Sequence, residues 1–171
     1  MPEQIALLDA DRAPLGKIVP RGTPLGNGEH ILVVHVCIFN KRGELLLQQR
    51  SEQKKSYPGY WDVSAAGGVR AGETGREAAM RETMEELGIP LDFTDSAAVT
   101  LAFPGGFDDF YLVTQDVPLS ALTIQTEEVQ AVRWASRAEV IGMLHDGAFA
   151  PYWESLIHLL FDLHGHIGLQ E

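Results

Sequence analysis

The sequence predicts a mixed α/β (α+β) fold with helices packed on a largely β centre, and three observations carry that prediction. Short β-rich runs alternate with stretches of helical spacing, Gly and Pro are scattered as punctuation, and 45% of the 171 residues are apolar with a mean hydropathy of -0.04. The last of these fits a folded globular chain and not a disordered acidic one. No repeat, low-complexity tract or linker interrupts the pattern. We therefore expect a single domain over residues 1–171, with residues 1–28 as an N-terminal β-hairpin extension.

Taken in order, QIALLDADRAPLGKIV reads as a hairpin turning at Asp9 to Arg12, and ILVVHVCIF and ELLLQQ read as strands joined by the turn Asn40-Lys41-Arg42-Gly43. A polar loop containing Pro58-Gly59 leads into WDVSAAGG, whose small residues end just before a helical signal. Thr74 followed three residues later by Glu77 is a capping-box pattern, and Gly88 suits a C-cap. Together they place a helix at about 75–87 with Ala79, Met80, Thr83, Met84 and Leu87 on its apolar side. AAVTLAF and FYLVTQ flank the hairpin signal Pro104-Gly105-Gly106, and VQAVRWAS adds a strand. RAEVIGMLHDG and YWESLIHLLFDLHG are helical, placing Val140, Met143 and Leu144, then Trp153, Leu156, Ile157 and Leu160, on apolar faces.

The formal net charge of -11 and pI near 4.9 exclude a nucleic-acid polymer as partner, because phosphate-backbone affinity needs clustered Lys and Arg. No apolar run approaches the ~18 residues of a membrane span, and the N-terminus has neither a basic start nor a signal-like stretch, so a cytoplasmic protein is expected. The single cysteine, Cys37, rules out a disulfide framework or a zinc site built on several thiolates, and its place inside ILVVHVCIF suits a buried strand residue. Monomer and homodimer are both compatible with the chain.

The stretch RETMEELGI sets Glu82, Glu85 and Glu86 at i, i+3 and i+4, so on a helix all three carboxylates project to one side. Such like charges disfavour an isolated helix by a few tenths of a kcal/mol per pair, and the later ones face the negative end of the helix dipole. Taken alone the cluster is either a solvated acidic face or a site for a hard cation. Carboxylate oxygens suit Mg²⁺ or Mn²⁺, which keep several waters and bridge to substrate phosphates.

The wider stretch GGVRAGETGREAAMRETMEELGI fits G-x5-E-x7-R-E-U-x-E-E-x-G-U through Gly67, Glu73, Arg81, Glu82, Glu85, Glu86, Gly88 and Ile89. This pattern is the Nudix box, and the sequence resembles the Nudix hydrolases, which cleave a nucleoside diphosphate linked to another group. The resemblance implies a Nudix-type α/β/α sandwich with a mixed β-sheet. It also implies that Glu82, Glu85 and Glu86 hold Mg²⁺ (or Mn²⁺) with a backbone carbonyl near Ala66 or Gly67, and that one of these glutamates or an outside acid takes a proton from the attacking water. Gly67 and Gly68 are expected to form a tight turn near metal and phosphate. Glu73 is expected to pair with Arg81, fixing the loop to the helix. The departure from the pattern is Thr83, where an aliphatic residue is expected.

LLLQQRSEQKKSYPGYWDVSAAGG narrows the resemblance to the Nudix branch that includes isopentenyl diphosphate isomerase, through Arg50, Lys54 and Pro58 to Trp61, over roughly residues 1–135. The isomerases carry a catalytic cysteine in an Asn-rich segment with a His-Pro after that Trp. This chain has Asp62-Val63-Ser64-Ala65-Ala66-Gly67-Gly68-Val69, which lacks both Cys and His, so an isomerase-like scaffold with hydrolase chemistry is expected. Arg50, Lys54, Lys55 and Arg70 are candidates for phosphate contacts. Asp108, Asp109, Glu127 and Glu128 are outside acids that suit turns or surfaces, with Glu127 and Glu128 kept as candidates. Trp61, Phe107, Phe110 and Tyr111 are candidate stacking residues that equally suit a core. His145, His158, His164 and His166 suit surface or capping roles. The expected substrate is a small nucleotide, foremost a nucleoside diphosphate yielding nucleoside monophosphate and phosphate, with isoprenoid diphosphate isomerisation or non-catalytic nucleotide sensing as alternatives.

Overall fold

A computed structural model describes residues 2–94 and 96–166. Strands β1 (Gln4–Leu8) and β2 (Pro14–Pro20) pair as an antiparallel hairpin. The Asp9 carboxylate accepts from the backbone N–H groups of Asp11 and Ala13 at 2.9 and 2.8 Å, closing the turn that the sequence signals there.

The main sheet is mixed. Strand β3 (Ile31–Phe39) runs parallel to β8 (Gly106–Thr114) on one edge; on its other edge it pairs antiparallel with β6 (Ala65–Gly68) and touches β4 (Leu45–Arg50) at the Asn40 to Gly43 turn. β7 (Val99–Phe103) adds to β8, while β5 (Trp61–Asp62) and β9 (Val129–Ala135) lie on either side of β4.

Two-residue periodicity divides the core into two layers. Val34, Val36, Ile38 and Leu46 pack with Ala78, Ala79 and Leu87 of helix α1 (Gly75–Leu87). Cys37, Phe39, Leu45 and Leu47 pack on the opposite face with Val140 of α2 (Arg137–His145) and Leu156, Ile157 and Leu160 of α3 (Glu154–Leu163). The result is the expected α/β/α sandwich. Cys37 is buried, as expected of a strand residue, and burial pushes its thiol well above the ordinary range.

Helix α1 has the bounds and capping box expected: Thr74 caps Glu77, the Glu77 side chain returns to the Thr74 backbone, and Gly88 ends the helix at φ 70°. A Cβ at Gly88 would also sit 2.7 Å from Thr123, so the position requires glycine twice over. The apolar side differs from expectation. Met84 is 46% exposed, whereas Glu82 and Glu86 turn inward beside the buried Ala79, Thr83 and Leu87. The buried Thr83 hydroxyl donates to the Ala79 carbonyl at 2.8 Å, which satisfies the polar group that the aliphatic position acquired. Trp153 also departs from its expected apolar face: it precedes α3 and is 83% exposed, leaving Leu156, Ile157 and Leu160 to anchor that helix.

Candidate active site

Strand β6 and helix α1 build an acidic hollow of about 270 Å³. α1 presents Glu82, Glu85 and Glu86; β6 presents Ala66 and Gly67; Arg70, Lys54 and Glu128 close the rim. The expected tight turn at Gly67 is not what forms, because Gly67 pairs with Val34 inside strand β6. Its role is space: a Cβ there would lie 1.9 Å from Glu82 Oε1. Only glycine lets the carboxylate approach the strand.

The arginines organise this hollow. Arg81 donates through Nε and Nη2 to both oxygens of Glu73 at 2.7 and 2.9 Å, to the Gly68 carbonyl at 3.0 Å, and through Nη1 to Glu82 and Glu85 at 2.6 and 3.2 Å. The expected Glu73–Arg81 pair is thus present and ties loop, strand and helix together. Burial opposes the charge on Arg81, but its hydrogen bonds to Glu73 and Glu82 outweigh that and hold its pKa up. Arg70 donates to Glu85 at 3.1 Å and to Glu3 at 2.5 Å, and Glu3 also accepts from Arg21, so β1 and the end of the hairpin are drawn to the site.

Glu86 is the most constrained carboxylate. Its Oε2 accepts from the Gln48 side-chain amide at 2.9 Å and from the Ala66 N–H at 3.2 Å. Burial, followed by the charge of Glu82, pushes its pKa up to about 8 against those two stabilising donors. Burial also raises Glu82, opposed by Arg81. Among the described residues no three His, Cys, Asp or Glu side chains close on one point as a preassembled cation cage. The donor set nevertheless fits a hard divalent cation: it is all oxygen, it crowds like charges out of water, and its cradle is kept open by a missing Cβ.

A second pocket of about 310 Å³ adjoins the first, with Arg21, Lys54, Ala66 and Gly67 facing both. Arg50 lies here, donating to the Ser56 carbonyl at 3.1 Å and reaching Asp62 at 3.4 Å. The Tyr152 hydroxyl donates to Asp62 at 2.9 Å and lies 3.0 Å from His35 Nδ1, while His35 Nε2 lies 3.0 Å from Asp108. His35 stands opposite Ala66 in the β3–β6 register, so a histidine does reach this place through the sheet although none is near it in sequence.

The remaining candidates divide. Glu128 reaches the acidic hollow and pairs with Lys54, while Glu127 is exposed and away from it. Asp109 is clamped by Arg12 at 2.6 and 2.9 Å, and Lys55 is exposed. Phe107, Phe110 and Tyr111 are buried packing residues, and Arg133 lies over the Trp61 ring. His145 and His158 pair with Glu154, and His164 packs on Phe39. Glu3, Arg21, His35, Gln48, Asp62 and Tyr152 escaped sequence reasoning because they converge from separate elements with no local spacing to mark them.

The NUDIX domain model matches residues 29–156, leaving the β1–β2 hairpin outside it. An uncharacterized Nudix hydrolase of Listeria innocua is 45% identical over 162 residues, covering 94% of this chain and 95% of the relative. The isopentenyl-diphosphate Delta-isomerase of Escherichia coli is 26% identical, covering 88% of this chain and 87% of its own. Among solved structures, DR0079 from Deinococcus radiodurans superposes with a TM-score of 0.78 at 22% identity, covering 92% of this chain and 99% of that one, which shows a shared fold. The branch resemblance read from the sequence is thus present but weaker than the likeness to hydrolases. With the domain match spanning most of its length and near-complete alignment to a Nudix hydrolase, the chain belongs to the Nudix hydrolases, pyrophosphohydrolases acting on nucleoside diphosphate-linked compounds.

Proposed function

We propose that the chain, hairpin included, works as one domain that hydrolyses a phosphoanhydride bond in a small nucleotide, foremost a nucleoside diphosphate, giving nucleoside monophosphate and phosphate. The observation that carries this is the cluster of Glu82, Glu85 and Glu86 carboxylates in one hollow, which adjoins a pocket bearing Arg21, Arg50 and Lys54. Acidic groups suit a cation and basic groups suit phosphates, and the two meet at Ala66 and Gly67.

In this reading Glu82, Glu85 and Glu86 hold Mg²⁺, or Mn²⁺ in its place, with the Gly67 backbone beside them. The cation, when bound, offsets phosphoryl charge and lowers the pKa of water. Arg81 and Glu73 brace the loop against α1. Arg50, Lys54 and Arg70 would meet the phosphate chain, while Arg81 keeps to the loop and does not touch substrate. Water adds to the terminal phosphorus, the bridging oxygen leaves with the nucleoside monophosphate, and the water's proton passes to a carboxylate of the site. Glu128 is the outside acid that suits this role, supported by its position at the rim beside Lys54.

Incubation with nucleoside di- and triphosphates, nucleotide sugars and isopentenyl diphosphate in Mg²⁺, followed by chromatography of the products, tests this reading. Nucleoside monophosphate and phosphate from a diphosphate are expected. Alkene migration in isopentenyl diphosphate without hydrolysis of any nucleotide would replace the hydrolase with the isomerase reading, and binding without turnover would replace it with a sensor.

A further inference from the structure

The loop between β4 and β5 holds a feature that phosphate binding does not require. Tyr57 has φ +49°, a left-handed conformation that costs a side-chain-bearing residue energy, and it stands immediately before Pro58, which restricts it further. The surrounding hydrogen bonds over-determine this geometry: Tyr60 N–H donates to the Tyr57 carbonyl, Gly59 N–H to the Arg50 carbonyl, Gln49 to the Gly59 carbonyl, and the Arg50 guanidinium to the Ser56 carbonyl. The strain is not repaid by burial, since Tyr57 is 49% exposed and its ring meets only the edge of Tyr60 among the described aromatic contacts. This strained residue lies on the wall of the 310 Å³ pocket.

The rest of that pocket sets apolar Val33, Ala150 and Pro151 beside a fixed chain of polar groups. His35 is stacked on Phe110 with ring centroids 4.5 Å apart, and the chain of contacts from Asp108 through His35 and Tyr152 to Asp62 ends on Arg50. An alkyl chain placed there would use only the apolar part of this wall and engage none of its hydrogen-bonding groups. A planar heterocycle offers a face for a tyrosine ring and edge donors and acceptors for the polar side, and the volume is at the lower end for small-molecule sites.

We propose that this pocket receives the base of the nucleotide and that Tyr57 is its stacking residue, which makes Tyr57 a specificity-determining side chain for substrates with a planar ring over substrates with an aliphatic one. The inference rests on the reading that the phosphates lie where the two pockets meet, beside Arg21 and Lys54, which leaves the part of this pocket bounded by Tyr57, His35 and Tyr152 for the base. Arg50, which lines the same pocket, holds the Ser56 carbonyl just before Tyr57.

The test uses binding and not turnover, so that failure of the hydrolase reading leaves it decidable. Nucleoside 5′-monophosphates, ribose 5-phosphate and isopentenyl monophosphate, none of which contains a phosphoanhydride, are titrated calorimetrically into the full chain in Mg²⁺. Expected is binding of at least one nucleoside monophosphate about tenfold tighter than ribose 5-phosphate, the scale of one base–aromatic stack. Tyr57→Phe keeps that preference, whereas Tyr57→Ala and Tyr57→Gly lose it while binding ribose 5-phosphate as the parent does. Tyr57→Gly, which relieves the left-handed strain, unfolds at no lower temperature than the parent, which separates ligand contact from structural support. Equal affinity for nucleotide and ribose 5-phosphate, tighter binding of the isopentenyl compound, no nucleotide binding at millimolar concentration, or an undiminished preference in Tyr57→Ala would each overturn the proposal.

Discussion

Replacing Glu86 by Gln should make the metal-free protein more stable while destroying its response to metal. Burial and the charge of Glu82 raise the Glu86 pKa from its ordinary 4.5 to about 8. The folded protein therefore holds a proton that the unfolded chain releases: the stability from this group is complete below about 4.5 and is lost as pH climbs through about 8. At about 1.4 kcal/mol per pH unit, the loss reaches about 4 kcal/mol at pH 8 and about 1 kcal/mol at pH 5.5. Glutamine keeps an acceptor for the Ala66 N–H and the Gln48 amide but carries no charge. At about 2–4 °C per kcal/mol for a chain of this size, Glu86→Gln in EDTA should melt about 10 °C above the parent at pH 8 and only a few degrees above it at pH 5.5. Added Mg²⁺ should raise the parent's melting temperature and leave the variant unmoved. Thermal denaturation by circular dichroism at the two pH values reads all of this. A variant less stable than the parent at pH 8, or an advantage that does not grow with pH, would refute the reasoning.

Three further outcomes follow from the same geometry. Gly67→Ala forces Glu82 off β6, so the Mg²⁺ concentration for half-maximal activity should rise about 10–100-fold with the circular dichroism spectrum preserved; an unchanged metal response would show that Glu82 does not need this space. Arg81→Ala leaves the partly buried Glu73 and the buried Glu82 without their guanidinium and should cost about 3 kcal/mol in urea unfolding, with Arg81→Lys recovering only part because it cannot span both oxygens of Glu73. Arg12→Ala strips the buried Asp109 of its two-pronged partner and should lower stability by about 2–3 kcal/mol and expose the β1–β2 hairpin to protease; no change in either would mean that the clamp contributes nothing.

What could be read in advance was whatever the chain encodes locally. The α1 bounds followed from Thr74, Glu77 and Gly88, because capping is decided within one turn of helix. The β-rich run ILVVHVCIF placed a strand correctly, and the fixed spacing from Gly67 to Glu86 brought the acidic cluster together. Side-chain direction was less legible. Apolar periodicity put Met84 inward and left the glutamates out, but a helix whose buried side carries Glu82 and Glu86 inverts that rule at the functional site. Trp153 failed likewise, since it lies one residue before α3 begins and so is not on that helix's apolar face. The polar chain through His35, Asp62, Asp108 and Tyr152 joins β3, β5, β8 and the segment before α3, and only the sheet register brings those residues together.

Metal-dependent phosphate release from a nucleoside diphosphate by the parent and Glu86→Gln, followed across a Mg²⁺ titration and in EDTA, decides whether these glutamates serve a hydrolase. The expected result is release that rises with Mg²⁺ in the parent, none in EDTA, and a loss of at least about a hundredfold in the variant at the Mg²⁺ concentration that saturates the parent. Turnover indifferent to EDTA, or a Glu86→Gln enzyme as fast as the parent, would contradict it.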